Sequence, residues 1–300
     1  MSHTLRAAFY PKLRHNFDQT AKDNKGDPNK AISASRSLAE IWIEGAWHHN
    51  TLESSEVLQA SLEAFWYGIA TAAKDSSELH QQQSLLRLVQ EKLDIGTLER
   101  ENDNQVEAAQ TPDGQVWSDL PFFRATFFDA FLKAPPVVEP WQCTNLHTIA
   151  AHITVATSKD LRFYAIWAMV DALESHELYL HESDVELHAA LEPIKPVLAW
   201  LQHASLHLRR ACLENLHPPD QRHDGYLYEW HHEGPEFVGP LAQKGGITQA
   251  GFSVERWMFW RDQLTALETR TREAADSAVQ VAHQDVLQSR EHMQAWEQHQ

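Results

Sequence analysis

Acidic side chains close to large aromatic residues are the first groups in this chain that could do chemistry. Asp171 lies in the most apolar stretch, LRFYAIWAMVDAL (161–173), and helical spacing puts it on one face with Tyr164 and Trp167. A carboxyl group held among aromatic rings can have a raised pKa and act as a general acid or base. The alternative is a structural ion pair, for which we predict Arg256 as the partner of Asp171.

Adjacent histidines form the second candidate group. His231 and His232 lie in EWHHEGPEF (229–237), and imidazoles on a loop can transfer protons near neutral pH or bind a metal ion. The alternative is that they are solvated or capping residues, because the chain contains 19 histidines. We predict proton transfer by Asp171 with His231 or His232, and we assign no metal ligand and no cofactor.

Other histidine spacings carry less information. His203 and His207 have the i, i+4 spacing of a helical metal pair, but they lie on the side of their helix away from Leu201, which predicts a solvent-facing position. His147 and His152 are five residues apart and do not share a face. Motifs for dinucleotides, for phosphate loops, for a serine nucleophile elbow and for CxxC redox sites are absent from the sequence.

The elements that must position these groups are helical. Apolar residues recur at steps of three and four nearly everywhere, and runs of alternating β-branched residues are almost absent. One such stripe is Ile194, Val197, Leu201, Ser205, Leu208 and Cys212. The sequence therefore predicts an all-α fold, a helical-bundle-like domain of about nine to ten helices with a long irregular loop before the C-terminal helix.

The domain organisation follows from composition. We predict a polar N-terminal segment (1–32), a single all-α domain (33–270) and a polar C-terminal helical extension (271–300). Inside the domain, 94–117 is acidic and poor in large apolar groups, which predicts a solvated loop. The loop at 216–252 combines glycines and prolines with aromatic residues, as binding loops and lids do.

The stretch GFSVERWMFW (251–260) predicts the start of a helix whose first turns pack against a hydrophobic core. Gly251 ends the preceding loop, and Ser253 is a good N-cap because its hydroxyl accepts a free amide N–H of the first turn. Trp257 and Trp260 are spaced to face inward. We predict an aromatic binding cavity that is lined by Tyr164, Trp167, Trp230 and Trp257.

Three blocks of the sequence resemble a fungal family described only as a domain of unknown function. They are WQCTNLHTIAAHIT (141–154), WAMVDALE (167–174), which matches a WAxxDALE-type helix, and GFSVERWMFW (251–260), which matches a GFSxERWxFW-type signature. The resemblance implies a helical fold and a fungal, intracellular origin, with no established activity and no catalytic residues to transfer. Where members often have a basic residue before the aspartate of the second block, this chain has Val170.

Charge and cysteine content exclude several classes of function. A formal net charge of −17 repels phosphate backbones and anionic lipids, so we expect neither nucleic acid nor a membrane as a partner. Two cysteines are too few for a disulfide framework and indicate a reducing compartment. The N-terminus lacks the apolar core of a secretory signal, and we therefore predict a cytoplasmic protein.

Taken together, the residues predict a small-molecule-binding protein. We expect a small, largely apolar molecule of specialised metabolism in an aromatic-lined cavity roofed by the loop at 216–252. Whether the protein is an enzyme stays open at this stage. One alternative is a non-catalytic scaffold or protein-interaction module that associates, with itself or another chain, through the C-terminal helix; a lesser one is a metal-dependent enzyme.

Overall fold

The chain forms two compact units, Met1–Ile149 and Ala150–Gln300. The computed structural model describes residues 10–16, 19, 27–49, 55–102, 105–132, 139–157, 160–175, 191–217, 238–272, 274 and 277–295. Helices dominate both units, which confirms the predicted all-α class. The prediction of a single domain over 33–270 stays a prediction. No helix among the described residues is long and apolar enough to span a bilayer.

The first unit is built around one long helix. Its elements in chain order are α1 (Pro28–Ser37), a π-helical segment (Leu38–Gly45), α2 (Ala46–His48), α3 (Ser55–Asp75), α4 (Leu79–Ile95), β1 (Glu99–Asn102), β2 (Gln105–Ala108), β3 (Gln110–Thr111), β4 (Gly114–Gln115) and α5 (Phe123–Leu132). Helix α6 (Pro140–Ala156) follows and contains residues of both units. Helix α3 packs against α1, the π-helical segment and α5.

The core of the first unit is a cluster of edge-to-face and tilted aromatic rings. Phe65 and Trp66 of α3 contact each other with ring centroids 4.5 Å apart, and both contact Trp117. Phe123 and Phe127 of α5 extend the cluster. Edge-to-face packing brings the positive edge of one ring against the negative face of another. These aromatic side chains carry few polar atoms, so the core that they fill is almost entirely apolar.

The segment predicted as an acidic loop at 94–117 contains two short antiparallel hairpins instead. Strand β1 pairs with β2, and β3 pairs with β4. The strands are polar, so no alternating apolar pattern marks them, and a cross-strand ion pair between Arg100 and Glu107 helps to hold the first hairpin. Ala109, Val116 and Trp117 at the base of the hairpins are buried, which ties this segment to the core.

The second unit is all helical in its described part. It comprises α7 (Phe163–Met169), a π-turn (Val170–Glu174), α8 (Ile194–Leu213), α9 (Pro240–Lys244), α10 (Val254–Arg272) and α11 (Ser277–Ala295). Helix α7 packs against α8, and the π-turn packs against α9 and α10. The predicted stripe of α8 is confirmed, since all six of its residues are buried.

The C-terminal segment, predicted as a polar helical extension, contains a helix that packs within the second unit. Helix α10 ends at Arg272, and α11 folds back onto both α8 and α10. Its buried face follows a heptad spacing through Val279, Ala282, Val286, Ser289 and Met293. This buried face is thus covered by the same chain, whereas Val281, part of the apolar stripe from which self-association was predicted, is 66% exposed.

Candidate functional site

A fully buried ion pair organises the centre of the second unit. The side chains of Glu174 and Arg256 have no solvent exposure, and Nε and Nη2 of Arg256 donate to the two carboxylate oxygens at 2.7 and 3.0 Å. Nε1 of Trp260 donates to Oε1 of Glu174 at 2.6 Å, and the backbone N–H of Gly239 donates to Oε2 at 2.8 Å. The carboxylate therefore accepts four hydrogen bonds, which is close to its full capacity.

Backbone groups complete the surroundings of the arginine. Nη1 of Arg256 donates to the carbonyl oxygen of Gly251 at 2.9 Å. Gly251 has φ = +82°, which glycine adopts without strain. Ser253 is the N-cap of α10, as predicted, because its hydroxyl accepts the backbone N–H of Arg256 at 3.1 Å. The start of α10 is thereby fixed to the ion pair by both side chain and main chain.

A second glycine is required where the chain passes Glu174. A Cβ built at Gly239 would lie 2.4 Å from Cβ of Glu174, far inside van der Waals contact. The close approach is what lets the backbone N–H of Gly239 reach the buried carboxylate. We call the group of Glu174, Gly239, Gly251, Arg256 and Trp260 the buried network.

The buried network includes Arg256, the residue predicted as the partner of Asp171. The arginine is the one expected, but the carboxylate it binds is that of Glu174, while Asp171 is exposed. Both acidic residues belong to the π-turn at Val170–Glu174. Its hydrogen bonds run from i to i+5, so the turn takes an extra residue and changes which later side chains face the core.

The buried network does not itself have the geometry of a catalytic site. Its charged groups are enclosed, and the carboxylate oxygens are occupied by donors of the protein. Removing one member of such a group is costly because a charge is then left buried without its partner. The network therefore acts as an anchor for the elements that meet there: the π-turn, the start of α9 and the start of α10.

A cavity of about 330 Å³ lies beside this anchor, between the end of α8 and the start of α10. The exposed apolar side chains Leu213, Val254 and Met258 line it together with the buried Trp257. The remaining lining residues are Cys212, Arg209 and Arg261. We call this the α8–α10 cavity.

The α8–α10 cavity adjoins the buried network at Cys212. Cys212 lines the cavity, and it is close enough to Arg256 for the positive charge of that side chain to affect the thiol. Burial raises the pKa of the Cys212 thiol to about 12, against smaller lowering effects from Arg256 and from a hydrogen bond with the Ser253 backbone. The thiol stays protonated at neutral pH, and only a thiolate would be a strong nucleophile.

The predicted binding residues are divided by the structure. Trp257 lines the α8–α10 cavity. Tyr164 and Trp167 form an edge-to-face pair with ring centroids 5.3 Å apart, and in the described part of the chain they are not among the residues that line this cavity. Trp230, His231 and His232 lie outside the described residues.

A family comparison covers this whole region. The family model described as "Protein of unknown function (DUF3632)" matches residues 66–264. The chain belongs to this family. Searches among curated proteins and among solved structures return no match. The DUF3632 match contains every residue of the buried network and of the α8–α10 cavity, and it ends before α11 begins.

Within the DUF3632 match, sequence reasoning missed a pair of histidines that lie in contact. His152 of α6 and His203 of α8 lie with ring centroids 4.0 Å apart. Burial, followed by the charges of His152 and of His292 in α11, lowers the pKa of His203 to about 4. Burial also lowers the pKa of His152. The predicted solvent-facing position of His203 is wrong because its ring is partly buried against that of His152.

The histidine pair does not form a metal centre in this structure. Among the described residues, no group of three or more His, Cys, Asp or Glu side chains has an arrangement that could hold a metal ion. Burial is the main cause of both lowered pKa values, because it disfavours the charged imidazolium, and for His203 the charges of His152 and His292 lower the pKa further.

A second, more polar cavity of about 290 Å³ lies elsewhere in the DUF3632 region, lined by Thr154, Thr157, Asp160, Arg162, His207, Arg210 and Glu214. Its charges are balanced within the protein. Arg162 donates to both carboxylate oxygens of Asp160, and Arg210 donates to Glu214 at 2.7 Å. Asp171 lines neither of these two cavities in the part of the chain that the structure describes.

Proposed function

We propose that this protein binds a small, largely apolar molecule in the α8–α10 cavity. The observation that carries the proposal is the clustering of Leu213, Val254 and Met258, which are 56, 46 and 39% exposed, around one concave space backed by Trp257. Exposed apolar side chains that surround a cavity are stabilised when a ligand covers them, because apolar surface is removed from water.

The size of the cavity limits the ligand. A volume of about 330 Å³ lies at the lower end of the range for small-molecule sites, about 300–1,000 Å³. A compact bicyclic or short-chain compound fits this volume better than a large cofactor. Binding then accounts for the site without catalysis, because the Cys212 thiol stays protonated.

The rigidity of the back wall also supports binding. Val254, Trp257 and Met258 belong to the first turns of α10, whose start is fixed by the hydrogen bonds of Arg256 to Glu174 and Gly251. A site whose walls are held in place loses less conformational entropy when a ligand binds.

Filling the cavity tests this proposal. We expect 2-naphthamide, a neutral bicyclic probe, to bind with a Kd of roughly 1 mM, from about 0.3 kcal/mol per heavy atom. Leu213→Trp should occupy the space and abolish the saturation-transfer NMR signal of the probe. Leu206→Trp is the matched control, since Leu206 is also an exposed leucine of α8, at 49%, but does not line the cavity.

Two outcomes would contradict the proposal. One is no detectable binding to the wild-type chain, either of 2-naphthamide or of its charged analogue 2-naphthoate. The other is equal loss of signal in Leu206→Trp and Leu213→Trp at unchanged thermal unfolding, which would place the binding elsewhere on α8.

A further inference from the structure

Two arginines from different helices line the α8–α10 cavity. Arg209 comes from the last turns of α8 and Arg261 from the second turn of α10. The described lining residues of this cavity include no carboxylate. In a chain with a net charge of −17, two guanidinium groups at a concave apolar site, with no acid among its described lining residues, differ from the acidic composition of the chain as a whole.

The polar cavity of the same unit has a different set of lining residues. There Arg162 and Arg210 share the lining with their own acids, Asp160 and Glu214. In the α8–α10 cavity, Arg261 contacts Asp262, its neighbour in sequence, at 3.2 Å, and that carboxylate is 68% exposed and does not line the space. Exposed pairs of this kind contribute little free energy, so the arginine can exchange such a contact for a ligand oxygen.

Trp257 supplies an independent polar observation. Its side chain is 4% exposed and lines the cavity, and its Nε1–H is buried without a hydrogen-bond partner among the described residues. A buried indole N–H normally finds an acceptor, and leaving it without one is unfavourable. An oxygen atom of a ligand is one acceptor that this cavity can receive.

We propose that the ligand of the α8–α10 cavity is an amphipathic organic acid, with its apolar body against Leu213, Val254 and Met258 and its carboxylate at Arg209 and Arg261. This inference rests on the proposed function, because it names the chemical class of the molecule bound there. Guanidinium groups recognise carboxylates through charge-assisted hydrogen bonds, which are stronger than those between neutral groups. The apolar body supplies buried area, and the charged head supplies orientation.

A pair of matched probes tests the inference on the full-length chain. 2-Naphthoate and 2-naphthamide have the same ring system and the same number of heavy atoms, and they differ in charge. At pH 7.5 and low salt, we expect 2-naphthoate to bind at least about fivefold more tightly than 2-naphthamide by NMR titration. The difference should shrink in 0.5 M NaCl, because salt screens partly exposed charges.

Single substitutions then locate the charge. Arg209→Gln and Arg261→Gln should each weaken 2-naphthoate binding by about threefold or more and change 2-naphthamide binding by less than about twofold. Arg210→Gln is the matched control, because Arg210 neighbours Arg209 in sequence but does not line this cavity. Thermal unfolding of each variant shows that the fold is retained, and Arg209→Lys, which keeps the charge, should keep the preference for 2-naphthoate.

The outcomes separate this inference from the proposed function. Equal affinities for the two probes, or 2-naphthoate binding that neither Arg209→Gln nor Arg261→Gln weakens, would overturn the inference and leave the proposed function in place. Failure of both probes to bind would overturn both.

Discussion

The two units of this chain differ in the kind of residue that occupies the centre of the core. In Met1–Ile149 the centre is a cluster of aromatic rings around Trp66 and Trp117, and the buried Lys92 pairs with Glu44, which is 19% exposed. In Ala150–Gln300 the centre is the buried network, in which both charges of the pair are completely enclosed. The first core depends on how its aromatic rings pack together, and the second depends on each buried charged group keeping its hydrogen-bond partners.

The difference shows where a binding site can be built. An aromatic core tolerates small adjustments, since ring contacts are numerous and individually weak. A buried ion pair tolerates few, since each group must keep its partner. The α8–α10 cavity adjoins the ion pair, where the backbone at Gly239 and Gly251 is held by directional bonds.

The largest expected effect comes from breaking the ion pair. Arg256→Leu leaves the Glu174 carboxylate buried without its cation, and we expect the free energy of unfolding to fall by about 3–5 kcal/mol. Urea denaturation measures the loss. Hydrogen exchange followed by mass spectrometry should show it as faster exchange in α10 and in the π-turn.

Two further variants serve as controls for that experiment. Asp171→Asn, one turn from Glu174 but exposed, should change the unfolding free energy by less than about 0.5 kcal/mol. The double variant Glu174→Leu with Arg256→Met should regain part of the loss, although Gly239 and Trp260 then lack an acceptor. An Arg256→Leu loss below about 1 kcal/mol would refute the anchoring role.

A medium effect is expected in the aromatic core, where one polar contact can be isolated. Nε1 of Trp66 donates to the carbonyl oxygen of Pro121 at 2.8 Å, whereas Nε1 of Trp117 makes no hydrogen bond with any described residue. Trp66→Phe should therefore cost about 1 kcal/mol more than Trp117→Phe in the free energy of unfolding. Equal costs in urea denaturation would show that this hydrogen bond contributes nothing beyond ring volume.

The smallest expected effect is a pH dependence of the second unit. The pKa of His203 is lowered to about 4, mainly by burial, from about 6.5 in the unfolded chain. Between pH 6.5 and 4 the unfolded state binds more protons at this site, so stability is full above pH 6.5 and is lost as the pH falls. His147 in the first unit, with a pKa lowered to about 3 by burial, contributes with the same sign.

Substitution separates the two histidines. His203→Gln removes the titrating group. We therefore expect the protection factors of the α8 amides in hydrogen exchange to depend less on pH between 6.5 and 4 than they do in the wild-type chain. Exchange in α3 of the first unit should keep its wild-type pH dependence. An unchanged pH dependence in α8 would show that other groups control the acid sensitivity of this helix.

Local patterns predicted much of the fold. The spacing of apolar residues gave the all-α class and the buried stripe of α8, and the order Gly251, Ser253, Trp257 gave the start of α10. These features depend on contacts within a turn or two, which a sequence records directly. The hairpins at 99–115 were missed because their strands are polar and are held by pairs such as Arg100 with Glu107.

The site was predicted only in part, and distance along the chain is the reason. Arg256 and Trp257 were named as candidate residues, but the sequence did not single out Glu174 as the carboxylate that Arg256 binds. The partners of Glu174 are 65 to 86 residues away, and no local spacing indicates them. The α8–α10 cavity likewise combines two helices separated by a long stretch of chain.

The anchoring of Gly239 and Phe252 has a consequence for how this protein can change over evolutionary time. Gly239 is tied to Glu174, and the backbone N–H of Phe252 donates to the carbonyl oxygen of Leu216 at 2.9 Å. Both contacts use backbone N–H groups, which every residue except proline carries, so they constrain the position of the backbone and not the identity of the side chain. At Phe252, a replacement other than proline can therefore keep the contact with Leu216, whereas at Gly239 any Cβ would meet Glu174.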